Sequence, residues 1–275
     1  MAAAATACVL LLGISAWAAG GFPARYTKQE LAVAGYMGYD PHENWRVGRC
    51  FLDGKSSWKF APECLATAAD RKNYLLLGDS HAAQLWSGLR STYPQVNFLE
   101  ATAADCFPTI VHSLSEAPRC SRVMDGVLLE FVPHAPLDRV VLIARWKSGL
   151  LGNVAATLEW LKQRHIPVTL VGPSAVFDAP LPRLLVNAMR SSDPDLLQHH
   201  LNAEMPALDL EMAQLARAHG VPYVSLITQQ CPQGPQSCSV RDAGGWPLIS
   251  DREHFTGEGS ALMARRLGPQ LQLPP

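Results

Sequence analysis

The chain has 275 residues, 48% hydrophobic and 17% charged, with 23 basic against 24 acidic side chains and seven cysteines. This length and apolar content suit one large domain or two small ones around a buried core, and they exclude disordered, collagen-like and low-complexity classes. A net charge of −1 removes the electrostatic case for a nucleic-acid binder, which needs a basic surplus.

No charged residue occurs at positions 2–22, and Cys8-Val9-Leu10-Leu11-Leu12 forms the apolar centre of that stretch. About 20 such residues cross a hydrocarbon core as a helix. A cleaved signal segment is the other reading, because Ala16-Trp17-Ala18 matches a small-x-small cleavage site. No Lys or Arg precedes the run, which favours a retained membrane helix over 1–22. Both readings export the remainder of the chain. Residues 23–72 follow as a lead-in segment without regular periodicity, and 73–275 as the candidate catalytic domain.

The cysteines point the same way. Leaving out Cys8, the rest fall into neighbouring couples: Cys50 with Cys64, Cys106 with Cys120, and Cys231 with Cys238. Each couple brackets a stretch rich in Pro, Gly, Ser or charge, the kind of loop a disulfide orders in an oxidising compartment. A zinc site would want C-x2-C or H-x3-H pairs, and these cysteines offer none. Nearest-neighbour pairing is one of several that six cysteines allow, and it is the expectation. It would tie down the lead-in segment through the first couple.

From residue 73 on, strands and helices alternate. Tyr74-Leu75-Leu76-Leu77 ends at Gly78 and suits a strand buried on both faces. A helix over 82–93 carries Leu85, Trp86 and Leu89 and stops at Pro94. Val96-Asn97-Phe98-Leu99 is the second strand, a helix over 121–131 follows, and 139–144 is the third. A helix over 153–164 leads to the strand Val168-Thr169-Leu170-Val171. Apolar residues at helical intervals over 194–219 predict a helix, capped by Gly220 and divided at Pro206. A fifth strand over 223–227 and a helix over 259–271 complete the pattern, an α/β domain with a parallel sheet covered on both faces.

In such a sheet the chemistry collects beyond the carboxyl ends of the strands. Gly78-Asp79-Ser80-His81 lies at one strand exit, and Asp251-Arg252-Glu253-His254 precedes the last helix. Ser80 at a helix N-terminus has free backbone N–H groups beside it for an oxyanion. A serine hydroxyl needs a base, for which His254 is the candidate, and Asp251 can turn back to accept its Nδ1 proton. Either motif alone has an ordinary explanation, Gly-Asp-Ser as a turn and Asp-x-x-His as a capping sequence. Their pairing at opposite ends of one α/β domain is what singles them out. Asp79 reads as a structural turn residue. His81 is a site-lining residue too close in sequence to act as the base. Trp146, at the third strand exit, reads equally as a core aromatic or as a wall of the substrate pocket. His199-His200 lies mid-helix, so the two side chains point in different directions and read as solvated rather than metal-binding, and no metal or nucleotide motif occurs.

Gly78-Asp79-Ser80-His81 with Asp251-x-x-His254 on this sheet resembles the SGNH hydrolase superfamily. More specifically, it resembles the SGNH domain attached to acyltransferase-3 membrane proteins, which O-acylate bacterial surface polysaccharides. The resemblance covers about residues 45–270 and includes the cysteine couple before the first strand, Cys106-Phe107-Pro108 and Ala144-Arg145-Trp146. It implies a three-layer α/β/α fold with a mostly parallel five-stranded sheet, SGNH/flavodoxin-like, after an N-terminal hydrophobic helix. It also implies Ser80 as nucleophile, His254 as acid/base and Asp251 as its orienting partner, with Gly78, His81 and Trp146 around the oxyanion and substrate. Two departures stand out. Where the superfamily completes its oxyanion hole with a glycine and an asparagine, this chain has Thr102-Ala103-Ala104-Asp105 and Ala144-Arg145-Trp146-Lys147. The multi-helix acyltransferase unit is also outside this chain, either a separate protein or the rest of a longer one.

The functional expectation is an exported O-acyltransferase, most simply acetyl, acting on an envelope glycan acceptor. Its acyl group would come from an acyltransferase-3 membrane unit, and it would be held to the membrane by the N-terminal helix with the catalytic domain on the periplasmic side. The alternative is a carbohydrate esterase that hydrolyses such groups. A silent glycan-binding module is argued against by the intact Ser80, Asp251 and His254. No cofactor and no nucleic-acid partner are expected.

Overall fold

The computed structural model describes residues 2–112 and 118–274. Six strands form one sheet: β1 Phe51–Leu52, β2 Lys72–Gly78, β3 Val96–Ala103, β4 Arg139–Ile143, β5 Val168–Val171 and β6 Tyr223–Val224. Their order is β1-β3-β2-β4-β5-β6 and every pairing is parallel. The helices are α1 Ala2–Ala18, α2 Lys28–Gly35, α3 Ser80–Thr92, α4 Pro118–Asp125, α5 Leu151–Gln163, α6 Leu181–Arg190, α7 Leu196–His199, α8 Glu204–His219, α9 Leu226–Gln230 and α10 Gly257–Leu267.

Because side chains alternate along a strand, each continuous apolar strand feeds two cores. Leu76, Val141 and Val171 point to the face covered by α3, α6 and α10, where they meet Leu85, Leu89, Leu185 and Met263. Leu75, Leu77, Leu142 and Leu170 point to the face covered by α4, α5 and α8, where they meet Met124, Leu158, Leu161 and Met212. The result is the expected three-layer α/β/α arrangement.

The sheet has six strands rather than five. The extra strand, β1, lies in the lead-in segment and extends the sheet beside β3, pairing Phe51 with Thr102 and Leu52 with Ala103. The strand expected over 223–227 ends after Val224, because the Ser225 hydroxyl accepts a hydrogen bond from the Thr228 N–H at 3.0 Å and starts α9. Pro206 does not divide a helix. It is the third residue of α8, in a first turn where a missing N–H costs nothing. The break falls earlier, where the Asn202 side chain accepts from the Glu204 N–H at 2.8 Å. The helix expected over 121–131 begins at Pro118 and widens into a π-helical stretch at Gly126–Phe131.

The three cysteine couples are disulfides: Cys50–Cys64, Cys106–Cys120 and Cys231–Cys238, with Cys8 free in α1. The first closes a 14-residue loop onto β1. In the chain-entropy account a loop of that length contributes about 3 kcal/mol. The Cys50→Ser/Cys64→Ser protein is therefore expected to melt roughly 6–12 °C lower in a thermal scan. An unchanged melting temperature would mean that the lead-in segment is held by its packing alone.

The uncharged N-terminal stretch is helical as α1, with 17 residues, and Val9, Leu10, Leu11 and Leu12 are exposed on it. No helix among the described residues is long and apolar enough to cross a membrane. The spanning reading of residues 1–22 therefore rests on the sequence alone.

Candidate active site

From β2 the chain crosses to β3 on one side, and from β3 it returns to β4 on the other. The crevice beyond the carboxyl ends of β2 and β4 is thus the topological switch point, where open α/β sheets place their ligands. Gly78 sits at this joint. A Cβ there would lie 1.6 Å from the Ile143 carbonyl oxygen, so only glycine lets the two strand ends meet. The next residue, Asp79, caps α3 and ties the crevice together. Its Oδ1 accepts from the His81 N–H at 2.8 Å and its Oδ2 from the Arg145 N–H at 2.9 Å. Asp79 is buried, and burial pushes its carboxyl above the ordinary value. Ser80 follows as the first residue of α3, where its N–H has no intrahelical acceptor.

The second half of the site comes from the loop before α10. Asp251 Oδ1 accepts from the backbone N–H groups of Glu253 at 2.9 Å and His254 at 2.8 Å, which curls the loop back on itself. The Phe255 N–H donates to Gln84 Oε1 at 2.6 Å and docks the loop on α3. Ser80 Oγ then lies 2.8 Å from His254 Nε2, and His254 Nδ1 lies 2.7 Å from Asp251 Oδ2. An ionised carboxylate can only accept, so Nδ1 carries the proton and Nε2 is left to accept from the serine hydroxyl. Burial raises the Asp251 carboxyl, but the hydrogen bond and charge of His254 outweigh it and lower the value to about 2. Burial likewise opposes a charge on His254, yet Asp251, with Glu253 and Asp79, raises its pKa above the ordinary imidazole value.

The remaining predicted residues fall in distinct places. His81 is buried beside Ser80, with Nδ1 3.3 Å from Ser174 Oγ and Nε2 3.7 Å from Glu253 Oε2. Trp146 is buried and its indole N–H donates to the Val171 carbonyl at 2.7 Å, which fixes the ring in the core while the residue still lines the crevice. Near the positions where the superfamily places its other oxyanion donors, three backbone N–H groups already have acceptors. The Ala104 N–H is spent on Leu52, that of Arg145 on Asp79 and that of Trp146 on Ala144.

Sequence reasoning missed Trp45 and the pair Arg145–Glu253. Trp45 packs on the His254 ring at 5.0 Å between centroids and is itself buried against Phe51. Its place is set by the lead-in segment, where the Tyr39 hydroxyl accepts from the Gly257 N–H at 2.9 Å and the half-buried Arg46 lies 3.3 Å from the buried Glu100. Arg145 Nε lies 3.0 Å from Glu253 Oε2. His81, Glu253 and His254 offer ligand atoms within 4.8 Å of one another. They suit a metal poorly, because Arg145 already neutralises Glu253 and both nitrogens of His254 are engaged in the triad.

A family model, the SGNH domain (fused to AT3 domains), matches residues 49–269. The chain belongs to this SGNH family. Among solved structures, the SGNH chain is similar to the periplasmic domain of a lipopolysaccharide acetyltransferase from Salmonella ser. Paratyphi A. The TM-score is 0.72 at 20% identity, over 87% of this chain and 97% of that one. It is more distantly similar to Est24, a carbohydrate acetylesterase from Sinorhizobium meliloti, with TM-score 0.49 at 12% identity over 74% and 99% of the two chains. The catalytic domain of Streptococcus pneumoniae peptidoglycan O-acetyltransferase A gives a TM-score of 0.41 at 14% identity over 75% and 94%. The first of these likenesses shows the SGNH fold. No curated protein matches the chain by sequence.

Proposed function

We propose that this SGNH domain is the catalytic part of an extracytoplasmic, serine-dependent O-acyltransferase. It moves an acetyl group onto a hydroxyl of an envelope polysaccharide by way of an acyl-serine at Ser80. Membership of a family fused to AT3 domains makes it an enzyme of the O-acyltransferase and esterase class. The observation that carries the serine reading is the 2.8 Å contact of Ser80 Oγ with His254 Nε2 at the switch point of the sheet.

The chemistry follows from the protonation pattern. Ser80 Oγ attacks the donor ester carbonyl while His254 Nε2 takes its proton, and Asp251 stabilises the imidazolium. The oxyanion forms beside the N-terminus of α3, where the Ser80 N–H and the helix dipole favour negative charge. As the tetrahedral intermediate collapses, His254 returns the proton to the departing oxygen. The acceptor hydroxyl then attacks the acyl carbon, gives its proton to His254, and the proton passes to Ser80 Oγ as that bond breaks. Three disulfides support an oxidising compartment, and the family's fusion to AT3 domains supports a membrane acyltransferase-3 unit as the acyl source.

The test combines the protein with p-nitrophenyl acetate and a panel of oligosaccharides, followed by mass spectrometry of the sugars. Acetylated oligosaccharide that depends on Ser80 is the expected product. Ser80-dependent release of acetate with no acetylated sugar would make the protein an esterase.

A further inference from the structure

Beside His81 lies a cavity of about 240 Å³, built from three chain segments that leave the carboxyl edge of the sheet. Lys147 comes from the β4 exit, Ser174 from the β5 exit, and Asn202 and Glu204 from the turn into α8. The volume is below the roughly 300–1,000 Å³ of drug-sized ligand sites and suits a single sugar ring. Its lining residues carry both donors and acceptors: Lys147 with an ammonium, Ser174 with a hydroxyl, Asn202 with an amide and Glu204 with a carboxylate. Vicinal sugar hydroxyls, which both donate and accept, match such a set. The neighbouring hollow of about 440 Å³ shares Asn202 and also holds Gln198, Asp209 and Thr228, but it is walled mainly by apolar residues such as Leu201, Pro206, Leu210, Ile227 and Pro232 and has no cationic side chain.

Two further observations point to a polar, uncharged ligand. His81 is 2% exposed, yet its Nε2 has no hydrogen-bond partner among the described residues, the Arg145-paired Glu253 Oε2 being 3.7 Å away. Buried polar atoms left in this way call for a polar group from outside the chain. The charges around the cavity also balance. Arg145 faces Glu253 at 3.0 Å, and Lys147 and Glu204 bring one charge of each sign to the lining.

We propose that this cavity is the acceptor subsite. It holds one uncharged pyranose ring, with Asn202, Glu204 and Lys147 selecting its hydroxyls and His81 guiding one of them toward the acyl group on Ser80. This assignment rests on the transfer reading above. In the step it serves, the sugar oxygen bonds to the acyl carbon as the bond to Ser80 Oγ breaks, and the sugar's proton passes through His254 to that oxygen. Glu204 acts as a charge selector, because its carboxylate opposes an acidic ring and accepts from a neutral one.

The test uses the full chain with p-nitrophenyl acetate and two sets of probes, neutral methyl hexopyranosides and methyl glucuronide. Asn202→Ala is expected to raise the KM for the best neutral glycoside about 10-fold, with kcat within about threefold. Glu204→Gln keeps the size of the side chain, and should narrow the preference for neutral over acidic glycoside by roughly 10-fold, a change that a purely structural role would not produce. A wild-type preference for the glucuronide, or an unchanged preference ratio in Glu204→Gln, overturns the subsite while leaving serine-dependent transfer in place. Ser80-dependent acetate release with no glycoside acetylated overturns the transfer reading and the subsite with it.

Discussion

Replacing Ser80 with alanine should lower kcat for an activated acetyl ester by about 10⁴- to 10⁶-fold. The size of the loss follows from how a triad works as a unit. Once the nucleophile is gone, His254 and Asp251 have no acyl-enzyme to form, and only binding and oxyanion donors remain to favour the reaction over water. The substitution leaves the architecture alone. Asp79, not Ser80, caps α3 and bonds across to Arg145, and among the described residues the Ser80 hydroxyl hydrogen-bonds only the proposed base, His254 Nε2. The melting temperature should therefore stay within about 4 °C of wild type. The measurement is ester turnover at saturating substrate together with a thermal scan. A Ser80→Ala protein that folds and retains more than about 1% of kcat would remove Ser80 from the mechanism.

Asp251→Asn should cost about 10⁴-fold in kcat and should also move the pH profile. The asparagine amide would present a donor toward His254 Nδ1, which drives the ring proton to Nε2, where it can no longer accept from Ser80. The pH effect has a definite sign. Asp251, ionised down to about pH 2, raises the pKa of His254, whose ordinary value is 6.5. The acid limb of wild-type kcat/KM should therefore lie above 6.5. In the variant the burial of His254 still opposes its charge while the carboxylate's contribution is gone, so the limb should move to lower pH. A raised folded-state pKa stabilises the fold fully below the unfolded value and ceases to do so as pH rises through the folded value. The variant's loss in melting temperature should be larger at pH 5 than at pH 8. An acid limb that stays in place would mean that Asp251 does not set the charge of His254.

Much of this could be read from the sequence because the decisive features are local. The apolar run before Gly78 has one structural meaning, a strand buried on both faces. Gly78-Asp79-Ser80 and Asp251-x-x-His254 each encode a turn whose side chains bond to their own backbone. The close cysteine couples are joined as nearest neighbours, the expected one of the several pairings open to them. What escaped depends on distant contacts. β1 is two residues long and exists because β3 offers it an edge. The strand over 223–227 was cut short by one capping serine, whose effect outweighed the apolar residues after it. Trp45 lies among charged residues with no periodicity, and only the folded lead-in segment brings it onto His254. Glu253 sits within the Asp-x-x-His motif, but its partner Arg145 is more than a hundred positions earlier.

The spacing of the triad along the chain has a consequence for when the enzyme comes into being. Ser80 and His254 are separated by 174 positions, and the loop that carries the base reaches the nucleophile only by docking against α3, through Phe255 on Gln84 and Ser260 on Gly88. A chain still emerging from the ribosome or an export channel carries a serine hydroxyl without a base. On the proposed mechanism the molecule would stay chemically silent until the loop bearing His254 has docked, and a cut that removes that loop would switch it off without touching Ser80.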